Sequence, residues 1–356
     1  MRRLLALLAA AGAMRWDACW QKIVPKVAET WTEAGVFRGV APEAVGAVTL
    51  DTLDAHVRAG GFLSARRGYP CADYGWETEP FPMRRGTREA LADRGTLILN
   101  GVAETVPECA RCALAALDAF RAPASLNSYA TGPHCAVAAP PHSDAQGIVV
   151  LQTVGAQRWK VWDARPFYAT ELNAVLTAGK GAPLKLGAPV LDVLLKEGDA
   201  LYAPAGWPHA TATLDDTSVH LTLGLDHAIF GLDRFSMNRA VAARGGERLE
   251  VSNAMARPFA GGGDIGDSDV AEAFAAHSAR IVEAQVRLYR DCLTNTSSKT
   301  WKERWLRWAD DSCRFVQAHS AFIGGDAFVL EDIDGEVSRQ NALFAARELR
   351  MQNTPI

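Results

Sequence analysis

The segment from Ser125 to Asp226 constrains the fold more than any other part of the sequence. It contains the short apolar or alternating runs SLNSYA, GIVVLQTV, QRWKVWDA, PVLDVLL, DALYAP and SVHLTLGL, separated by turn residues. Most of these runs have no helical pattern between them, whereas parallel strands need a helical crossover of roughly 10 to 15 residues. The pattern therefore predicts an antiparallel sandwich or barrel and excludes a doubly wound fold.

Helical periodicity flanks this segment on both sides. Residues 14–120 are predicted to be a helical lead-in, in which VTLDTLDAHVRAGGF has helical spacing and TLILNGV is the one strand candidate. Residues 229–356 are predicted to be helical again, and the strand-rich part occupies 121–228. The expected fold class is thus α+β.

Composition excludes several classes of protein. The chain has 356 residues, of which 49% are hydrophobic and 22% charged, the balance of a folded chain with a sizeable core. A net charge of −4 with no basic patch argues against direct nucleic-acid binding. No apolar run approaches the roughly 18 residues of a membrane span, so we expect no membrane partner.

The N-terminal segment MRRLLALLAAAGA, residues 1–13, has two arginines, a short apolar stretch and small residues, as a secretory signal does. An amphipathic leader helix and translation from Met14 are equally open interpretations. The compartment is therefore unknown. The seven scattered cysteines do not resemble a disulfide framework, which favours a reducing compartment.

Two further motifs have structural interpretations. Cys109 and Cys112 form a CxxC on an amphipathic helix, and no second CxxC completes a zinc site. Trp301, Trp305 and Trp308 share one face of a predicted helix, so we expect residues Phe230 to Phe322 to support a homodimer.

His142, Ser143 and Asp144 form an H-x-D directly before the run IVVLQTV. In an extended chain His142 and Asp144 project to the same side, about 6.5 to 7 Å apart along the backbone, so both can bind one ion. His209, in GDALYAPAGWPHAT, is predicted to lie where a strand turns at the sheet's rim. Two imidazoles and a carboxylate form the facial triad that holds non-haem Fe(II) with positions left open.

His220 has two open interpretations. In SVHLTLGL the side chains of Ser218, His220 and Thr222 share one face of a strand. His220 is either a core histidine or part of the polar wall of a co-substrate pocket.

The stretches LNSYATGPHCAVAAPPHSDAQGIVVLQTVGAQRWKVW, LLKEGDALYAPAGWPHAT and SVHLTLGL resemble the JmjC oxygenases. Within that family they are most similar to the ribosomal oxygenase group of cupin-like hydroxylases. VTLDTLDAHVRAGGF and RGTLILNGVAET resemble the same group, so the similarity runs from about Trp16 to Asp226.

This resemblance implies a double-stranded β-helix followed by a helical dimerisation region and a winged helix. The sequence of the last 40 residues shows no convincing winged helix. It implies Fe(II), 2-oxoglutarate as co-substrate and O₂. By position, His142, Asp144 and His209 match the iron ligands, and Asn127 and Tyr129 match a polar pair beside the co-substrate. The implied reaction is hydroxylation of a protein side chain, a ribosomal histidine or arginine, or demethylation of histone lysine. The implied compartment is the nucleus, nucleolus or cytoplasm.

One position departs from the family. The group places a Lys or Arg, which pairs with the distal carboxylate of 2-oxoglutarate, where this chain has Gln157. Arg158 is adjacent but faces the other side of the strand, and Lys185 is a second candidate cation. Two alternatives therefore stay open: a catalytically impaired JmjC binding or scaffold protein, and a non-oxygenase cupin, whose usual ligand set has more histidines and a Glu.

Overall fold

The computed structural model describes residues 2–30, 33–58, 65–70, 76–80, 86–91, 95–142, 144, 146–163, 186–204, 207–225 and 268–294. Several predictions concern residues outside these ranges, namely the tryptophan face of Trp301, Trp305 and Trp308, the cation candidate Lys185 and the last 40 residues.

Five α-helices lie in the described part of the chain, beside two short 3-10 helices at Pro42–Ala44 and Val102–Glu104. The α-helices are α1 (Arg2–Glu29), α2 (Leu50–Arg58), α3 (Thr87–Ala90), α4 (Pro107–Phe120) and α5 (Ser268–Thr294). The sequence accounts for the bounds of α4: Pro107 occupies the first turn, where its missing N–H costs nothing, and Arg121 ends the helix in the left-handed conformation at φ 53°.

Twelve strands form two antiparallel sheets in the described ranges. The strands are β1 (Gly35–Phe37), β2 (Ala65–Pro70), β3 (Trp76–Pro80), β4 (Thr96–Leu99), β5 (Ala124–Thr131), β6 (Ala139–His142), β7 (Gly147–Val154), β8 (Ala156–Val161), β9 (Leu191–Lys196), β10 (Ala200–Ala203), β11 (His209–Ala212) and β12 (Ser218–Leu225). The large sheet has the order β1-β10-β7-β12-β5-β4-β2-β3, and the small sheet has the order β6-β11-β8-β9.

Side-chain alternation on the large sheet separates two cores. On β7, Val149 and Leu151 belong to a core shared with α1 and α4, whereas Ile148 and Val150 pack against Trp159 of the small sheet. The helices therefore cover the outer face of the large sheet, and the two sheets enclose an inner space between them.

The predicted fold class is confirmed: the chain combines helices with a two-sheet antiparallel jelly roll, and all six predicted strand runs contain a strand. The lead-in is less helical than predicted, because β1, β2 and β3 accompany the predicted strand β4 and extend the large sheet. Residues 2–13 are continuous with α1, whose later part buries Trp16 and Trp20. None of the described helices is long and apolar enough to cross a membrane.

Helix α5 is anchored to the start of β5. The buried Gln285 amide accepts from the Ala124 N–H at 3.1 Å and donates to the Ala124 carbonyl at 2.8 Å. The Tyr289 hydroxyl donates to the same carbonyl at 3.0 Å. This helix therefore uses part of its apolar face, including Leu288, within its own chain.

Candidate metal centre

Two strands of the small sheet position the predicted metal ligands. His142 is the last residue of β6 and His209 the first of β11, and the two residues are paired in register. Asp144 follows two positions after His142. The ligand atoms of the three residues all lie within 4.8 Å of one another, and in the described part of the chain they are the one group of three such side chains able to share an ion.

The local setting differs from the sequence prediction in one respect. His142 does not lead directly into the strand IVVLQTV, because it ends a separate strand, β6, of the other sheet. His209 likewise belongs to a strand rather than to a turn at the rim. Both strands were missed because each has only four residues, and β6 contains two prolines.

Backbone carbonyls orient both imidazoles. His142 Nδ1 lies 2.8 Å from the Pro140 carbonyl oxygen, and His209 Nδ1 lies 3.0 Å from that of Trp207. A carbonyl only accepts, so each Nδ1 carries a proton, which leaves Nε2 as the nitrogen that can bind a metal. This is the tautomer that a metal-binding histidine needs, held by the hydrogen bond that usually fixes it.

The electrostatics also suit a cation. His209 Nε2 lies 3.5 Å from Asp144 Oδ2, with His209 almost fully buried and the Asp144 side chain 23% exposed. Desolvation, followed by the neighbouring His209 ring, lowers the pKa of His142 to about 4. At neutral pH His142 is therefore uncharged, so a metal ion does not have to displace a proton from its lone pair.

A row of rings leads from the metal ligands into the space between the sheets. Ring centroids lie 4.3 Å apart for His142 and His209, 6.0 Å for His209 and Trp159, 5.4 Å for Trp159 and His220, and 5.1 Å for His220 and Tyr129. His220 and Tyr129 stack face to face. His220 is therefore in the wall of the same inner space as the metal ligands.

Asn127 and Tyr129 both lie on the inner side of β5. Asn127 Oδ1 accepts from the Gly101 N–H at 3.0 Å, so this side chain also holds the turn after β4. The Tyr129 hydroxyl is hydrogen-bonded to the Asn127 side chain, while burial and then the Asp144 carboxylate raise its pKa above the ordinary value. Tyr129 is thus a neutral phenol near the candidate ligand Asp144.

Gln157 is buried on the inner side of β8 and accepts from the Ser218 hydroxyl at 3.0 Å. The neighbouring Arg158 faces outward, where its guanidinium forms two hydrogen bonds with the Asp192 carboxylate at 2.6 and 2.7 Å. The expectation that Arg158 points away from Gln157 is met.

Beside the predicted His220, the inner polar residues Gln152, Trp159 and Thr222 were not singled out as site residues from the sequence. Six buried polar side-chain atoms have no hydrogen-bond partner among the described residues, and four of them are on the inner strand positions: Gln152 Oε1, Trp159 Nε1, His220 Nδ1 and Thr222 Oγ1. Unsatisfied buried polar atoms are costly, and several together indicate a place where a polar ligand or water completes the hydrogen bonding. The signal available in the sequence was strand alternation, which places Gln152 and Trp159 at inward-facing positions of their strands.

The donor set fits a divalent transition metal. Two imidazoles and one carboxylate form the facial arrangement of non-haem Fe(II) sites, which leaves coordination positions for other ligands. The inner polar atoms beyond the triad fit a small oxygen-rich molecule. The arrangement can therefore hold a metal ion and a second ligand side by side.

Sequence comparison assigns this region to a known family. Residues 107–230 match the family model described as the JmjC domain, which includes α4 and the strands from β5 to β12. A Drosophila persimilis protein named bifunctional lysine-specific demethylase and histidyl-hydroxylase NO66 is 36% identical over 98 residues, which are 27% of this chain and 13% of that protein. The human protein named ribosomal oxygenase 1 is 37% identical over 105 residues, 29% of this chain and 16% of that protein.

The match thus spans less than a fifth of the length of these relatives. Among solved structures, an Escherichia coli YcfD structure aligns with 18% identity and a TM-score of 0.46, covering 80% of this chain and 69% of that one. A second YcfD structure, in complex with cobalt and 2-oxoglutarate, aligns with 18% identity and a TM-score of 0.45 over 62% of this chain and 56% of that one. Residues 107–230 therefore form a JmjC domain, and over about 100 residues the chain is similar in sequence to proteins named ribosomal oxygenase 1 and NO66.

Proposed function

We propose that this protein is an Fe(II)- and 2-oxoglutarate-dependent dioxygenase that hydroxylates a protein side chain. The observation that carries the proposal is the convergence of His142, Asp144 and His209 within 4.8 Å inside a JmjC domain. Both histidines present Nε2, and the carboxylate completes a three-ligand face.

When bound, iron(II) together with the 2-oxo acid supplies the activation of O₂ that hydroxylation of a C–H bond requires. The chain's own residues perform the binding and orienting steps. The carbonyls of Pro140 and Trp207 keep the two imidazoles in one tautomer. The buried apolar side chains of Ile148, Val150 and Trp159 pack together between the sheets beside this space.

Succinate formation tests this function. Purified protein with Fe(II), 2-oxoglutarate and O₂ should form succinate, and Asp144→Asn should abolish it by removing the anionic ligand. Asp215→Asn, at a 91% exposed carboxylate, is the matched control and should keep wild-type turnover. Equal succinate formation by the two variants would show that Asp144 has no role in the reaction.

The proposed substrate class is a basic or aromatic side chain of a ribosomal protein or histone, since the relatives carry the names ribosomal oxygenase and lysine-specific demethylase and histidyl-hydroxylase. Mass spectrometry of ribosomal proteins and of methylated histone peptides after incubation distinguishes the two. Gain of one oxygen on histidine or arginine indicates a ribosomal oxygenase. Loss of a methyl group from lysine indicates a demethylase.

A catalytically impaired JmjC binding protein is the second candidate, and Gln157 is the observation that favours it. A buried neutral amide replaces the cation that the family uses for the distal carboxylate. This candidate predicts that the folded protein binds divalent metal but forms no succinate above the level of Asp144→Asn.

Self-association through the C-terminal helices stays a prediction. In the described part of that region, α5 already packs Gln285, Leu288 and Tyr289 against its own chain. Light scattering at micromolar concentration tests the proposal, and a strictly monomeric protein would contradict it.

The compartment also stays a prediction, and localisation of the tagged full chain tests it.

A further inference from the structure

The part of the inner space beyond the metal ligands is lined by neutral polar side chains. The inner positions of β5, β7, β8 and β12 carry amides, hydroxyls and aromatic rings, and the ring row from His142 to Tyr129 joins this lining to the metal ligands. The polar residues at these positions are Asn127, Tyr129, Gln152, Gln157, Trp159, Ser218, His220 and Thr222.

A chain of three hydrogen bonds orients the Gln157 amide. Gln152 Nε2 donates to the Val154 carbonyl at 2.8 Å and to Ser218 Oγ at 2.8 Å, so the orientation of the Gln152 amide is set by a backbone acceptor. Because the Ser218 hydroxyl accepts from Gln152, its single proton is donated to Gln157, at 3.0 Å. Gln157 Oε1 is thereby engaged, and the Nε2 amide group is left to donate to a ligand.

The inner positions of β5, β7, β8 and β12 carry no lysine or arginine. Arg158 is exposed on the outer face of β8 and is paired with Asp192. Burial lowers the pKa of His220 to about 3, so this imidazole is neutral at physiological pH. A carboxylate placed here would lose its hydration without gaining a cation from these four strands, which is costly.

We propose that the co-substrate pocket recognises the common 2-oxo acid end of its ligand and does not require a distal carboxylate, so that 2-oxo acids with a neutral polar distal group bind as well as 2-oxoglutarate. The inference rests on the proposed function. The 5-methyl ester of 2-oxoglutarate keeps the open five-carbon chain and supplies a neutral carbonyl acceptor for Gln157 Nε2. A neutral acceptor gains its hydrogen bond here without the desolvation cost of a buried charge.

Calorimetric titration of the Fe(II)-loaded full chain under argon measures this without turnover. Dissociation constants for 2-oxoglutarate and its 5-methyl ester are expected to agree within about threefold. In Gln157→Lys the ratio should shift by at least about tenfold toward 2-oxoglutarate, because a charged donor strengthens the bond to a carboxylate. Arg158→Gln, which removes the neighbouring outward cation, is the matched control and should keep the wild-type ratio.

The wild-type ratio decides the inference even if Gln157→Lys does not fold. A preference of more than about tenfold for 2-oxoglutarate in the wild-type protein would overturn it while supporting the proposed function. Loss of that preference in Lys185→Ala would then identify the cation. Failure of both 2-oxo acids to bind a metal-loaded protein at millimolar concentration would overturn the proposed function itself, and this inference with it.

Discussion

His142 and His209 are directly opposite each other in the antiparallel strands β6 and β11, with ring centroids 4.3 Å apart. Residues opposite each other in such a pair have their side chains on the same face of the sheet. The register of two four-residue strands therefore sets the distance between the candidate metal ligands. A slip of one residue would turn one imidazole to the opposite face.

Removal of one ligand should weaken metal binding. We expect His209→Ala to lower the affinity for Mn(II) by at least about tenfold, since even the loss of a residue that only orients a ligand costs about 10- to 100-fold. Calorimetric titration of the purified protein measures this. His134→Asn, at a histidine whose side chain is 67% exposed and outside the triad, should bind Mn(II) as the wild type does. Equal affinities in the two variants would contradict the assignment.

Gly155, between β7 and β8, should not tolerate a side chain. Its φ is +65°, and a Cβ there would lie 2.1 Å from the Thr217 carbonyl oxygen. Gly187 has φ +75° but open space around it, so Gly187→Ala carries only the left-handed strain of about 1 to 2 kcal/mol. We expect Gly155→Ala to lower the free energy of unfolding in urea by at least about 2 kcal/mol more than Gly187→Ala. Similar losses would mean that the turn relaxes without cost.

Stability should fall in acid because of His220. Burial lowers its pKa in the folded protein to about 3, whereas the unfolded chain titrates near the ordinary value of about 6.5. Between these values only the unfolded chain binds the proton, so the free energy of unfolding decreases as the pH falls from about 6.5 toward 3, by about 1.4 kcal/mol per pH unit at most.

His220→Phe keeps an aromatic ring against Tyr129 and should make this acid dependence less steep, while the part due to His142 remains. Urea unfolding at several pH values measures the slope. His134→Asn is the control and should keep the wild-type dependence. An unchanged slope in His220→Phe would show that other groups cause the acid loss.

Gln285 should be needed for the attachment of α5. Gln285→Leu leaves the buried Ala124 N–H without its partner, while the Ala124 carbonyl keeps the Tyr289 hydroxyl. An unsatisfied buried donor costs about 1 to 3 kcal/mol. We expect that loss in the free energy of unfolding, compared with almost none for Arg290→Leu at an exposed position of the same helix. Equal stability of the two variants would show that α5 does not depend on this contact.

Local sequence patterns predicted much of the sheet. Runs such as GIVVLQTV and SVHLTLGL contain strands because their β-branched and apolar residues fit a buried pleated surface, and that preference is visible within eight residues. The four-residue strand β6 has the sequence APPH, with no alternation and two prolines. It is a strand because β11 pairs with it, and no local signal in the sequence predicts that pairing.

The site, like the sheet, depends partly on local sequence and partly on tertiary contacts. The sequence by itself determined which side chains were available: an H-x-D, a second histidine after a strand, and a glutamine at the position where the family has a cation. Only the tertiary structure decided that the Ser218 hydroxyl donates to Gln157, 61 residues away, and that Gln152 and the unpaired His220 Nδ1 line the same inner space. The physical reason is that the face to which a side chain points follows from its position along its own strand, which is a local property. Its contacts across the space between two sheets depend on the register of strands distant in the sequence.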